Sequence, residues 1–354
     1  MNQNISFTPP HPDPLISVII PCYNAAVFLP NCMKCLEEQT IGIEHLELIF
    51  VDDASSDQGA TWDAILAFEA KYPNQVIAIQ HEENKGQARA RNTGLLYARG
   101  VYVGFMDQDD FIEPTFHQTM YEKAAAYDCD VVQCGYIEIL SGQIIRTQAP
   151  RENFENYEKS IMNGGSTWPT IWGVTVWNKL FRRSLITPNS ICFPDGLLCE
   201  DYYFIKMLEP YIKRLYSIED ALYHWQVHEA STSFSLSKEH TTDFITIGNA
   251  LISYYQSLGI FERYYLQTEW QILLFYFHAL SSRLINASFD YPLYRLLSDS
   301  VQKYFPFFLD HPAFTNPENA TAKTLLSILN KHYTEEQFQV LVAELKEILT
   351  QMYT

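Results

Sequence analysis

The run Val103-Gly-Phe-Met-Asp107-Gln-Asp109-Asp110-Phe-Ile-Glu-Pro114 decides how this chain is read. It begins as an apolar strand and stops on three carboxylates within four residues, Asp107, Asp109 and Asp110. Asp is a poor strand former, and adjacent like charges repel unless something cationic sits against them. Oxygen ligands at the end of a buried strand suit a hard divalent ion, Mn²⁺ or Mg²⁺, that shares its sphere with substrate phosphates. The plainer reading is an acidic strand-to-helix loop in which one Asp caps the next helix.

What precedes the run favours the first reading. Leu15-Ile-Ser-Val-Ile-Ile-Pro21 is a near-continuous apolar stretch closed by Pro, as expected of a strand buried on both faces. Leu46-Glu-Leu-Ile-Phe-Val51 is a second such strand, ending on Asp52-Asp53, and Val76–Gln80 a third. Helical spacing fills the gaps, over about Ala26–Gln39, Thr61–Tyr72, Gln87–Arg99 and Pro114–Tyr127. Strands alternating with helices predict an α/β protein with a doubly wound, mostly parallel sheet whose ligand lies beyond the carboxyl ends of the strands. Two acidic strand ends, Asp52/Asp53 and Asp107/Asp109, then share one rim. Neither G-x-G-x-x-G after the first strand nor G-x-x-x-x-G-K-[ST] anywhere supplies a phosphate cradle. A nucleotide must therefore be held by base and ribose contacts together with a metal.

Bulk properties narrow the classes. The 354 residues are 47% apolar and 19% charged, a globular composition, and the net charge of −18 excludes a nucleic-acid partner and broad adsorption on anionic membranes. Seven cysteines, an odd number with two in predicted strands, read as buried, reduced thiols of a cytoplasmic protein. Residues 1–14 are polar and Pro-rich, a loose tail without the features of a signal peptide. The apolar run near Trp270–Leu280 is too short to span a bilayer.

In the second half, Asp130–Leu140 reads as a strand that returns through Ser141-Gly142 in a hairpin. Glu152–Met162 reads as a helix broken at Asn163-Gly-Gly165, and Trp177 as a core anchor rather than a sugar platform. Glu200-Asp201 opens an apolar helix, either as N-terminal charge on its dipole or as a general base. From about Phe234 the chain reads helical, with Asp243–Tyr255, Trp270–Leu284 and a capping-box pattern, Thr334-Glu-Glu-Gln337, opening a last helix to about Met352.

Four segments match a known family in order and spacing: Ser17-Val-Ile-Ile-Pro-Cys-Tyr-Asn24, Val51-Asp-Asp-Ala-Ser-Ser-Asp57, Asn84-Lys-Gly-Gln-Ala-Arg-Ala-Arg-Asn92-Thr-Gly94 and Phe105-Met-Asp-Gln-Asp-Asp110. In these the chain resembles the family 2 glycosyltransferases of the GT-A fold, inverting enzymes whose bacterial members build surface polysaccharides. The resemblance implies a hexosyltransferase that moves a sugar from a UDP-sugar to a glycan or lipid-linked saccharide, with Mn²⁺ or Mg²⁺ as cofactor. It implies a nucleotide-sugar half over 15–135, an acceptor half over 136–233 and a helical region over 234–354. By position it places Pro21, Tyr23 and Asn24 at the base, with Asp52 or Asp53 accepting from uracil. Asn84, Lys85, Gly86, Arg89 and Arg91 line the base and ribose side, and one of the two arginines pairs with a helix carboxylate instead. Asp107 and Gln108 approach the ribose, Asp109 with Asp107 holds the metal, and His228 is a further candidate ligand. Asp201 becomes the base, with Glu200 beside it. The C-terminal helices would cover the acceptor half, form a homodimer or dock at the inner face of a membrane. Two alternatives carry different chemistry: a sugar-1-phosphate nucleotidylyltransferase, and a non-catalytic glycan-binding protein on a transferase core.

Overall fold

The computed structural model describes residues 4–6, 14–150, 175–227, 242–285 and 289–353. In chain order the first half comprises β1 (Asn4–Ser6), β2 (Ile16–Cys22), α1 (Leu29–Glu37), β3 (Leu46–Asp52), α2 (Ala60–Lys71), β4 (Val76–Gln80), α3 (Gln87–Tyr97), β5 (Tyr102–Phe105), β6 (Phe111–Ile112) and α4 (Phe116–Ala126). There follow β7 (Val131–Leu140), β8 (Gln143–Gln148), β9 (Lys179–Arg182), α5 (Arg183–Ile186), α6 (Glu200–Leu208) and β10 (Leu215–Val227). The remaining helices are α7 (Asp243–Ser257), α8 (Tyr265–Ile285), α9 (Tyr291–Tyr304), α10 (Ala320–Leu326) and α11 (Glu335–Tyr353).

The chain divides into two units, the first with the strands and α1–α6, the second with α7–α11 and the short segment Leu197–Cys199. Among the described residues the first unit holds one ten-stranded sheet in the order β1-β4-β3-β2-β5-β9-β7-β10-β6, with β8 paired to β7. β4, β3, β2 and β5 are mutually parallel, and every residue of β2 and β3 is buried. Helices on both faces dictate this: an apolar run without alternation can satisfy both sides of a strand only when both are covered. Two polar intruders are paired rather than exposed. Ser17 donates to the Glu47 carboxylate at 2.5 Å, and Arg99 Nε donates to its other oxygen at 2.7 Å, so the buried charge meets its counter-ion.

β6, β9 and β10 are strands that the sequence reading does not name. β9 matters most for topology. It lies antiparallel between β5 and β7, and β10 then runs parallel to β7. β7 and β10 therefore point the same way as β5, and their carboxyl ends join one rim. The boundary drawn at 135/136 falls inside β7. Within the stretch read as a loose tail, Asn4–Ser6 pairs antiparallel with β4. The expected helix over 152–162 with its break at 163–165 lies outside the described residues. None of the seven cysteines forms a disulfide; five are buried or half-buried, whereas Cys192 and Cys199 are exposed, contrary to the expectation that all are buried.

In the second unit, α7–α11 pack through aromatics: Phe244 and Tyr276 meet edge-on at 5.9 Å, and Tyr294 stacks on Phe338 at 5.1 Å. The capping box forms reciprocally, with Thr334 N donating to Gln337 Oε1 at 3.0 Å and Gln337 N donating to Thr334 Oγ1 at 3.3 Å. Among the described residues, no helix is long and apolar enough to cross a membrane.

Gly94 shows why α3 lies so close to β2. A Cβ added there would sit 2.4 Å from Cγ2 of Ile19, itself fully buried in β2. Gly94→Ala is expected to destabilise the first unit by about 1–3 kcal/mol, as overpacking does in close-packed interiors. Chemical denaturation would measure it, and an unchanged midpoint would remove the close-packing argument.

Candidate active site

The rim begins where β2 ends. Pro21 is buried, while the ring of Tyr23 stands 43% exposed. The loop after β5 holds it there: Tyr23 N donates to Gln108 Oε1 at 2.8 Å, and Gln108 Nε2 donates back to Tyr23 O at 3.3 Å. One side-chain amide thus imitates a strand partner and ties two strand-end loops together. Asn24, at a positive φ of 50°, accepts from Ser56 N at 2.8 Å.

Asp52 and Asp53 are buried and already engaged. Asp52 accepts from Ser55 N (3.0 Å), Ser55 Oγ (2.5 Å) and Gln80 Nε2 (2.9 Å). Asp53 accepts from Lys85 N at 3.0 Å and Gly86 N at 2.7 Å, and lies 2.6 Å from Nδ1 of His81, whose Nε2 is 2.9 Å from Thr93 Oγ1. Asp53 therefore shapes the loop Asn84–Gly86 and sits at the amino end of α3, where a negative charge is favoured. Gly86 has φ of 86°, a conformation that favours glycine, and no heavy atom lies within 4 Å of where its Cβ would be. Its requirement is conformational. Asn84 Oδ1 also accepts from Gly86 N at 3.2 Å, and the Lys85 ammonium lies 3.4 Å from Glu83.

The acidic run separates into three environments. Asp110 is 1% exposed and accepts from Tyr223 Oη at 2.6 Å and Gln226 N at 2.7 Å. These two bonds anchor β10 to the loop, and burial, then Asp107 and Asp109, pushes the proton affinity of Asp110 well above the carboxylate range. Asp107 Oδ1 receives Gln87 Nε2 and Arg91 Nη2, each at 2.9 Å, and Asp107 N donates to Tyr223 Oη at 3.2 Å. Asp109 is half-buried at the head of the loop. Among the described residues no three His, Cys, Asp or Glu side chains are placed to hold a metal ion by themselves. The donor set still fits a hard cation of the kind that takes one or two carboxylates and draws its other ligands from phosphate and water, with Asp109 and Asp107 as those carboxylates. His228 lies outside the described residues.

Arg91 joins the two acidic groups. Its side chain is 2% exposed, and besides Asp107 it donates through Nη1 to Asp201 Oδ1 at 2.6 Å and to Glu200 Oε1 at 3.3 Å. Of the two arginines, Arg91 is the one that pairs with the helix carboxylates of α6, whereas Arg89 reaches Asp195 at 2.8 Å on a more exposed side. Asp201 Oδ2 accepts from Val176 N at 3.2 Å. Burial raises its carboxyl, Arg91 pulls it back, and Glu200 and Asp107 push it up again, to about 7. A carboxyl so placed can exchange a proton near neutral pH.

Lys179, which pattern reading passed over, is fully buried and donates to Thr175 O at 2.7 Å and Asn178 Oδ1 at 2.8 Å. Burial lowers its ammonium to about 7. It closes the turn that presents Val176 N–H to Asp201. Trp177, in that turn, is 5% exposed and stacks on Tyr223 at 4.4 Å, a core position. Nothing in local spacing links Tyr223, Val176 or Lys179 to the acidic run.

Comparison with known proteins identifies this arrangement. Residues 17–187 match the model for glycosyl transferase family 2. EpsH of Bacillus subtilis, a glycosyltransferase by name, is 30% identical over 228 residues, 62% of this chain and 62% of its own. The poly(ribitol-phosphate) beta-glucosyltransferase of Bacillus spizizenii is 28% identical over 190 residues, 53% of this chain and 28% of its own. The chain thus spans less than two thirds of the length of these relatives. Among solved structures, S. aureus TarS 1–349 in complex with UDP-GlcNAc superposes with a TM-score of 0.70 at 20% identity, covering 89% of each chain. The sheet is of the GT-A type, and over residues 17–187 the chain is similar to glycosyl transferase family 2.

Proposed function

We propose that this protein transfers a hexose from a UDP-sugar to a glycan or lipid-linked saccharide, with inversion, in the synthesis of a surface polysaccharide. One observation carries the reading: a single buried guanidinium binds both the strand-end Asp107 and the helix carboxylate Asp201. A donor-side acid and a proton acceptor are thus held one side chain apart. The relatives' names support sugar transfer, and the UDP-GlcNAc in the TarS complex supports a uridine donor. Cysteines that form no disulfide suit a reducing, cytoplasmic setting.

The base would lie on the exposed ring of Tyr23, over the strand ends that Asp52 and Asp53 shape, with Asn84, Lys85 and Gly86 at its edge. Bound at Asp109 and Asp107, a divalent cation would offset the charge of the leaving diphosphate. Asp201 accepts the proton of the acceptor hydroxyl as that oxygen bonds to the anomeric carbon. The bond from that carbon to the diphosphate breaks on the opposite face, and its electron pair leaves with UDP. Arg91 keeps Asp201 oriented, and burial, with Glu200 beside it, keeps the proton affinity high enough for the task.

Release of UDP from a panel of UDP-sugars, with Mn²⁺, Mg²⁺ or a chelator, tests the reading. Asp109→Asn is expected to lower turnover by about a hundredfold or more while the protein still folds, the size typical of a lost electrostatic contact at a reacting group. Normal turnover in that variant would take the metal away from Asp109. Asp201→Asn should bind UDP as wild type does yet transfer about 10²–10⁴ times more slowly.

Proton linkage gives a readout independent of turnover. The folded-state affinity of Asp201 lies above that of an unfolded Asp, so its contribution is favourable at low pH and is lost as pH rises from the ordinary carboxylate range to about 7. The melting temperature of Asp201→Asn minus that of wild type should therefore increase between acidic and mildly alkaline pH. A flat difference would show that Asp201 titrates normally.

A further inference from the structure

β7 and β10 bring a second set of side chains to the rim that bears Asp53 and Asp107. Tyr136 and Glu138 on β7 register against Tyr223 and Trp225 on β10, and alternation along each strand puts these four on one face. The rings form a graded row. Tyr223 is fully buried and stacks on Trp177 at 4.4 Å; Tyr136 meets Trp177 edge-on at 4.9 Å, and Trp225 lies 6.2 Å from it. Tyr136 and Trp225 are the outer, half-buried members. Glu138 stands beside them, 4.0 Å from the exposed guanidinium of Arg146.

This row is built off the reacting groups. The backbone N–H before Trp177 donates to Asp201, and the Tyr223 hydroxyl both donates to Asp110 and accepts from Asp107 N. Aromatic faces beside a carboxylate suit a sugar ring, whose C–H face stacks while its hydroxyls donate. An acyclic, phosphate-bearing polyol would instead meet the Glu138 carboxylate, on a chain of net charge −18.

We propose that Trp225 and Tyr136, backed by Trp177 and flanked by Glu138, form the acceptor subsite, and that its occupant is a neutral pyranose ring; this rests on the transferase reading above. The test uses the full chain with UDP-glucose and UDP-N-acetylglucosamine as donors. Acceptors are methyl β-glucoside, methyl β-N-acetylglucosaminide and ribitol 5-phosphate, and both transfer and hydrolysis to water are followed. The wild type is expected to prefer a methyl glycoside. Trp225→Ala should lower the ratio of transfer to hydrolysis by about tenfold through the acceptor KM, with Trp225→Phe restoring most of it. Tyr136→Ala serves in its place if Trp225→Ala does not fold. An unchanged ratio in the folded alanine variant, or preference for ribitol 5-phosphate, overturns the proposal. If the wild type releases UDP from neither donor, the transferase reading itself is in question. Saturation-transfer NMR of the two methyl glycosides without donor then decides: signal in wild type that disappears in Trp225→Ala supports the subsite, and no signal, or equal signals, removes it.

Discussion

A guanidinium with 2% of its side chain exposed cannot shed its charge, and the burial of Arg91 organises the site. Its three carboxylate partners come from the loop after β5 and from the amino end of α6, more than a hundred residues away in the chain. Desolvating four charged groups gains little net stability, because their mutual attraction is largely spent on the loss of water. What the cluster supplies is geometry: Asp107 and Asp201 cannot drift apart without stranding a buried cation. The ring of Phe193, 5.4 Å from the guanidinium, closes another side.

The short antiparallel strand β9 does the corresponding work for the backbone. A parallel strand in its place would need another long crossover. Four residues inserted between β5 and β7 allow β7 and β10 to run in the direction of β5. The strand-end acids and the aromatic row then share one rim, where sites in open α/β sheets lie. Lys179 opens β9 and also closes the turn that faces Asp201, so one residue serves both the topology and the surroundings of that carboxyl.

Much of this was legible from local pattern. β2 and β3 announce themselves because strands covered on both faces must be apolar throughout, and the Thr334–Gln337 cap because both partners lie within one helical turn. The approach of Gly94 to Ile19 is a packing requirement that only the folded chain reveals. The three acids at 107–110 could be located but not told apart. Asp110 is an anchor only because Tyr223 and Gln226 arrive from β10, and Asp53 is a loop-former only because Lys85, Gly86 and His81 turn toward it.

The sequence by itself determined that a mostly parallel sheet would carry acids at its strand ends, because strand burial and strand-end chemistry are short-range properties of the chain. Only the tertiary structure decided which acid is buried, which arginine is the counter-ion and which carboxyl can accept a proton. Those properties depend on solvent exclusion and on charges brought together from distant segments, and neither exists until the sheet closes around Arg91.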